Sequence, residues 1–244
     1  MLENYVVIDL EMTGLSPSRD KIIEIGAVKV CDGKIQYEYQ TLVNPNIVIP
    51  QKIVKMTGIT TEMVKNSPYI NQILKSFFDF IGEDVIIGHN LMFDFSFLMQ
   101  AKYHMETEEK ITLCGQSKKW YGMDTLKMAR RFLDKELSKR LEDLCHYYHI
   151  QDNHHHRAIN DAIVTKFLYE KLCEEFETSE RRIEPELYTY RPKKERLPSK
   201  REIARVERII ERLQIRQPKD IYRMNQSDLS RYADMLLSHR FDDE

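Results

Sequence analysis

Val6-Val7-Ile8-Asp9-Leu10-Glu11-Met12-Thr13-Gly14-Leu15 is the stretch on which the reading of this chain turns. Together with Tyr5, its first half is rich in β-branched side chains and predicts a buried strand near 4–11. Side chains at i and i+2 of a strand share a face, so Asp9 and Glu11 project together from the strand's end. Adjacent carboxylates repel, and each disfavours ionisation of the other. A hard divalent cation removes that conflict, and oxygen ligands favour Mg²⁺ or Mn²⁺. A solvated strand end also carries Asp and Glu, so the pair alone does not decide. Gly14 lets the backbone come close to a ligand.

Two further motifs lie downstream. Residues 84–88 predict a short buried strand, and His89-Asn90 lead into a helix near 92–104 with Phe93, Phe97 and Leu98 on its apolar side. Asp94 sits among these aromatics, where a charge is costly unless compensated. A metal ion would compensate it; an exposed position in the first turns, favoured by the helix dipole, is the plainer alternative. The third motif is His156-Arg157-Ala158-Ile159-Asn160-Asp161, with helical periodicity over 158–176. Residues five apart on a helix face different ways, which puts His156 on the loop before it. His154-His155-His156 also reads as a separate transition-metal tract, although three consecutive histidines cannot all face one ion.

Asp9, Glu11, Asp94, His156 and Asp161, taken in this order, resemble the DEDDh (DnaQ-like) 3′→5′ exonucleases, over about residues 4–175. The stretches 21–27, 43–45, 57–60 and 124–126 match as well. The likeness is to the exonuclease domain of Gram-positive replicative polymerases and to epsilon-type proofreading subunits. The first motif departs from the proofreading form at Met12, which stands where those members carry Thr; the Met form is similar to the oligoribonucleases.

The resemblance implies a ribonuclease-H-like α/β fold, a five-stranded mixed sheet with helices on both sides. It implies two Mg²⁺ or Mn²⁺ ions, with Asp9 bridging, Glu11 and Asp161 completing the inner shell and Asp94 acting through water. His156 would act as general base, a role suited to its near-neutral pKa. Met12, Thr13 and Leu15 would line the terminal nucleotide, with Asn90 and Phe93 as further contacts. The expected substrate is nucleic acid with a free 3′ end, DNA ahead of RNA; an exoribonuclease and a non-catalytic nucleic-acid-binding module are the alternatives.

The chain has 244 residues and 42% hydrophobic content, suited to one full domain and a smaller one. No apolar run reaches membrane-spanning length, and the four cysteines form no Cys-x-x-Cys, so the expectation is a cytoplasmic protein with reduced thiols. Residues 1–180 carry 21 Lys+Arg against 27 Asp+Glu, whereas 181–223 carry 14 against 7. The basic stretch thus lies outside the carboxylate-rich part.

The expected division is an exonuclease domain over 1–176, a linker over 177–198 broken by Pro185, Pro192 and Pro198, and a helical module over 199–244. Asp32-Gly33 predicts a hairpin turn between strands near 21–30 and 34–43. Ser199 and Glu202 have capping-box spacing at the head of the C-terminal module. That module could grip phosphates, stay a solvated helix pair, or dock a polymerase or repair partner. Trp120 could stack on a base or pack in the core. A strand near 110–114 completes the reading.

Overall fold

The computed structural model describes residues 1–109, 113, 119–151, 156–178, 183–194, 196–215, 221–222 and 224–238. The strand expected near 110–114, as well as Lys118, His154 and His155, lies wholly or largely outside them.

The chain opens with three strands, β1 (Tyr5–Met12), β2 (Ile22–Cys31) and β3 (Lys34–Leu42). Between β2 and β3, Asp32 and Gly33 both take positive φ, 50° and 71°, as a two-residue hairpin with this twist requires. Helices α1 (Gln51–Thr57), α2 (Thr61–Val64) and α3 (Ile70–Ile81) follow. Next come β4 (Ile86–Gly88), α4 (Leu91–His104) and a π-helical turn at Met105–Glu109. β5 (Trp120–Asp124), α5 (Thr125–Phe132), α6 (Leu141–Tyr147), α7 (Ala158–Phe176) and β6 (Glu186–Tyr188) complete this part, and α8 (Lys200–Leu213) and α9 (Gln226–Ser238) close the chain.

One mixed sheet has the order β3-β2-β1-β4-β5-β6. β1 runs parallel to β4, and β4 to β5; the other pairings are antiparallel. The period of two along β1 sorts its side chains between two layers. Val6, Ile8, Leu10 and Met12 pack with Leu74, Phe77 and Phe78 of α3 and Phe95 of α4. Tyr5 and Val7 pack on the opposite layer, with Met128 of α5, Leu144 of α6, and Leu168 and Leu172 of α7.

Among the described residues the sheet has six strands where five were expected. The sixth comes from 186–188, inside the stretch expected as a linker. It pairs with the outer edge of β5 and satisfies backbone groups there. Tyr188 anchors it, 4% exposed and edge-on to Phe95 at 5.7 Å. Three residues are too few to show a periodicity, so the sequence pattern does not announce this strand. Trp120 is a packing residue, set against Phe78 and Phe95.

The chain divides into two compact units, Met1–Leu15 with Asp20–Arg191 and Ser16–Arg19 with Pro192–Glu244. In the second, Ser199 and Glu202 form the capping box of α8: the Ser199 N–H donates to Oε2 at 2.8 Å, and the Glu202 N–H donates to Oγ at 3.3 Å. Val206, Ile209 and Ile210 of α8 pack on Leu229, Ala233 and Leu236 of α9. No helix among the described residues is long and apolar enough to cross a membrane.

Candidate active site

β4 pairs with Val6 and Val7 of β1 and ends at Gly88, so Asp9 and Glu11 lie on the part of β1 that runs past it. β1 has a parallel neighbour on one side and an antiparallel one on the other. In α/β sheets a crevice beyond the carboxyl ends of the strands, where connections diverge, is the usual place for a ligand. Asp9 is half-buried and Glu11 buried; both face the α7 layer, as their register with Tyr5 and Val7 dictates.

Asp94 arrives from the other layer. It is 4% exposed on α4, and its Oδ1 accepts from the Leu10 N–H at 3.0 Å. The turn before α4 is tightly held. Asn90 takes φ 65° and its N–H donates to Oδ1 of Asp124 at 2.9 Å. His89 Nε2 donates to the Lys139 carbonyl at 3.0 Å, which leaves Nδ1 facing the Thr125 hydroxyl at 2.9 Å. Burial lowers the His89 pKa and keeps it a neutral clamp.

His156 and Asp161 come from the head of α7. That helix passes directly over Gly26, the residue paired with Asp9 across β1 and β2. A Cβ on Gly26 would lie 2.2 Å from the backbone of Ala158 and Ile159. Only a glycine permits this approach, and the approach carries Asp161 over the strand. His156 takes φ 63°, uncommon for a residue with a side chain, on the loop before the helix. Ligand atoms of Glu11, His156 and Asp161 all lie within 4.8 Å of one another.

This gathering has an electrostatic cost. Glu11 is pushed up to about 8, first by burial and then by the charges of Asp161, Glu24 and Asp94, with Arg157 pulling the other way. Asp9 is held well above the usual carboxylate range by burial, then by Asp94, Asp161, Glu11 and Glu24. Asp94 is raised chiefly by burial, against the hydrogen bond from Leu10. Buried carboxylates that disfavour one another's ionisation, with Glu11 and Asp161 beside the His156 imidazole, suit a hard divalent cation.

The residues expected to line a nucleotide are placed differently from one another. Leu15 is 83% exposed. Asn90 is exposed and Phe93 half-buried, edge-on to Phe97 at 5.4 Å. Thr13 is buried, with its Oγ1 accepting from the Lys21 N–H at 2.9 Å. Met12 differs from the expectation: its side chain is 6% exposed and lies in the α3/α4 core, because the strand's alternation turns it away from the Asp9–Glu11 face. What approaches Gly14 is the carboxylate of Asp20, 2.6 Å from where a Cβ would stand.

Glu24, Gly26 and Asp124 fall within the matching stretches 21–27 and 124–126, but the sequence gives them no role of their own. A fully buried glutamate in the apolar run Ile22-Ile23-Glu24-Ile25 raises the same question of compensation as Asp94 and could have been found that way.

A family model described as an exonuclease matches residues 6–169. The PolC-type DNA polymerase III of Clostridium perfringens is 39% identical over 180 residues, 72% of this chain and 12% of that protein. The DNA polymerase III subunit epsilon of Aquifex aeolicus is 32% identical over 173 residues, 70% of this chain and 81% of that protein. The match thus spans only about an eighth of the PolC-type relative's length. Among solved structures, exonuclease X in complex with 5′-overhanging duplex DNA is similar with a TM-score of 0.55 and 24% identity, over 72% of this chain and 94% of that one. The nuclease domain of 3′hExo, a DEDDh family member bound to rAMP, has a TM-score of 0.59 and 16% identity, over 78% and 98% of the two chains. These structural likenesses establish the fold.

Proposed function

The chain belongs to the exonuclease family, and from that premise we propose that it hydrolyses DNA from the 3′ end and releases nucleoside 5′-monophosphates. One observation carries the reading: carboxylates from β1, α4 and α7 gather with a histidine past the end of β4. Asp9, Glu11 and Asp161 would hold two divalent ions, Mg²⁺ or Mn²⁺, with Asp94 supporting them through water. Bound ions of this kind supply charge neutralisation at the phosphodiester and make water a better nucleophile.

The remaining work falls to the chain's own groups. His156 stands beside Glu11 and Asp161 and takes the proton from the attacking water. Asp94, tied to the Leu10 N–H, keeps the end of β1 and the head of α4 in register. Leu15 offers an apolar surface to the terminal base, and Thr13, Asn90 and Phe93 shape the pocket beside it. DNA is favoured because the Clostridium perfringens and Aquifex aeolicus relatives are DNA polymerase III proteins by name. Residues 1–176 would be the catalytic domain. The module over 199–244, beyond the residues that the family model matches, would dock a polymerase or repair partner.

The test is Mg²⁺-dependent digestion of 5′-labelled DNA and RNA strands, single-stranded and with mismatched 3′ ends, with Asp9→Ala beside the wild type. A DNA ladder shortening from the 3′ end, absent in the variant, is expected. A ladder on RNA alone would move the chain to RNA turnover, and activity retained in Asp9→Ala would refute the site.

A further inference from the structure

Behind the Glu11–His156–Asp161 group lies a second, fully made polar contact. Glu24 is 0% exposed, on β2, directly across from Glu11. Its carboxylate receives the Arg157 guanidinium through Nη2 at 2.7 Å and Nε at 3.1 Å on Oε1, with Nε also 3.2 Å from Oε2. Oε2 accepts the Ala158 N–H at 3.1 Å. That N–H is one of those the first turn of a helix leaves without an internal partner. Arg157 itself follows His156, whose φ is positive, and precedes the helix that carries Asp161.

We propose that Glu24 and Arg157 are positioning residues: the pair clamps the head of α7 to β2 and so sets where His156 and Asp161 stand against Glu11. Three features support this. The fork-to-carboxylate geometry fixes orientation as well as distance. The contact joins α7, which bears Asp161, to β2, the strand paired with the one that carries Glu11. Arg157 pulls against the negative charge that Glu24 places across from Glu11, so the contact orders the site while offsetting part of that charge. In metal sites generally, partners that orient the ligands matter about 10–100-fold for affinity or turnover.

The activity arm of the test rests on the exonuclease reading; the metal arm does not. Glu24→Gln and Arg157→Gln alter the local charge in opposite directions. If the pair positions the site, both variants lose turnover by about 10–100-fold with little change in KM for DNA, and both bind Mn²⁺ about tenfold more weakly by calorimetry. Arg157→Lys, which keeps the charge and loses the fork, recovers only part of the loss. A purely electrostatic role would shift Mn²⁺ affinity in opposite directions in the two Gln variants and would overturn the inference. So would wild-type turnover and Mn²⁺ binding in both. Unfolding midpoints in chelator are measured alongside; if the buried Glu24→Gln does not fold, the half-exposed Arg157 variants decide by the same criteria. If the wild type cleaves neither DNA nor RNA, the exonuclease reading fails while the Mn²⁺ titrations still judge the clamp.

Discussion

Replacing Gly26 with alanine would put a methyl group 2.2 Å from the carbonyl carbon of Ala158 and the nitrogen of Ile159, and 2.5 Å from the Ala158 oxygen. Non-bonded carbon atoms settle at about 3.5–4.0 Å, so the head of α7 must move by roughly 1.3 Å or more. No rotamer change relieves the contact, because every atom met is backbone. Gly→Ala at a position with ordinary φ normally stabilises by about 0.4–1 kcal/mol through the unfolded chain. Here the sign reverses: forced overpacking costs about 1–3 kcal/mol, and a rigid backbone partner puts this site at the upper end. For a domain of this size that lowers the unfolding midpoint by roughly 6–12 °C. Activity should fall further than stability, since a displacement of about 1 Å at a reacting group can cost about 100-fold. Gly33→Ala is the control. Gly33 has φ 71° and open space where its Cβ would stand, so that variant loses about 1–2 kcal/mol to backbone strain and keeps its turnover. The assays are thermal unfolding in chelator and digestion of a 5′-labelled strand. If Gly26→Ala matches the wild type in both, or loses stability with turnover intact, the contact does not set the site.

The raised pKa of Glu11 has a definite sign. Its folded value of about 8 lies above the ordinary 4.5, so the folded state holds the proton more tightly and metal-free stability falls as pH rises across that interval. Thermal unfolding in chelator at pH 5 and pH 8 should show the drop, and Mn²⁺ should raise the midpoint more at pH 8 than at pH 6; an equal rise at both would contradict the assignment. Asp94→Asn removes one buried charge while leaving an oxygen for the Leu10 N–H, so the chelated protein should gain about 1 kcal/mol, roughly one pKa unit of repulsion, and lose about 100-fold in turnover. A variant both inactive and less stable would mean that Asp94 is chiefly structural. Leu15→Ala, at a site 83% exposed, should leave stability within about 0.5 kcal/mol and lower kcat/KM for DNA about tenfold; unchanged kinetics would remove Leu15 from the substrate pocket.

What the sequence by itself determined was local. The alternation of β1 put Asp9 and Glu11 on one face, the spacing of His156 and Asp161 put one on a loop and the other in the helix, and Asp32-Gly33 and Ser199–Glu202 specified a turn and a cap. These follow from nearest-neighbour geometry, which a few residues encode completely. The tertiary structure decided what stands opposite each residue. It sent Met12 into the core by the same alternation that presents Glu11, and it added β6 from a stretch too short to carry a pattern. It brought Asp94 and Asp161 to β1 from opposite layers, and it paired Glu24 with Arg157 across 133 positions. Such pairings depend on how whole elements pack, and no spacing along the chain records that. Gly26 shows the limit most plainly: a glycine within a strand marks a close approach without saying of what, and only the helix lying on its bare Cα supplies the partner.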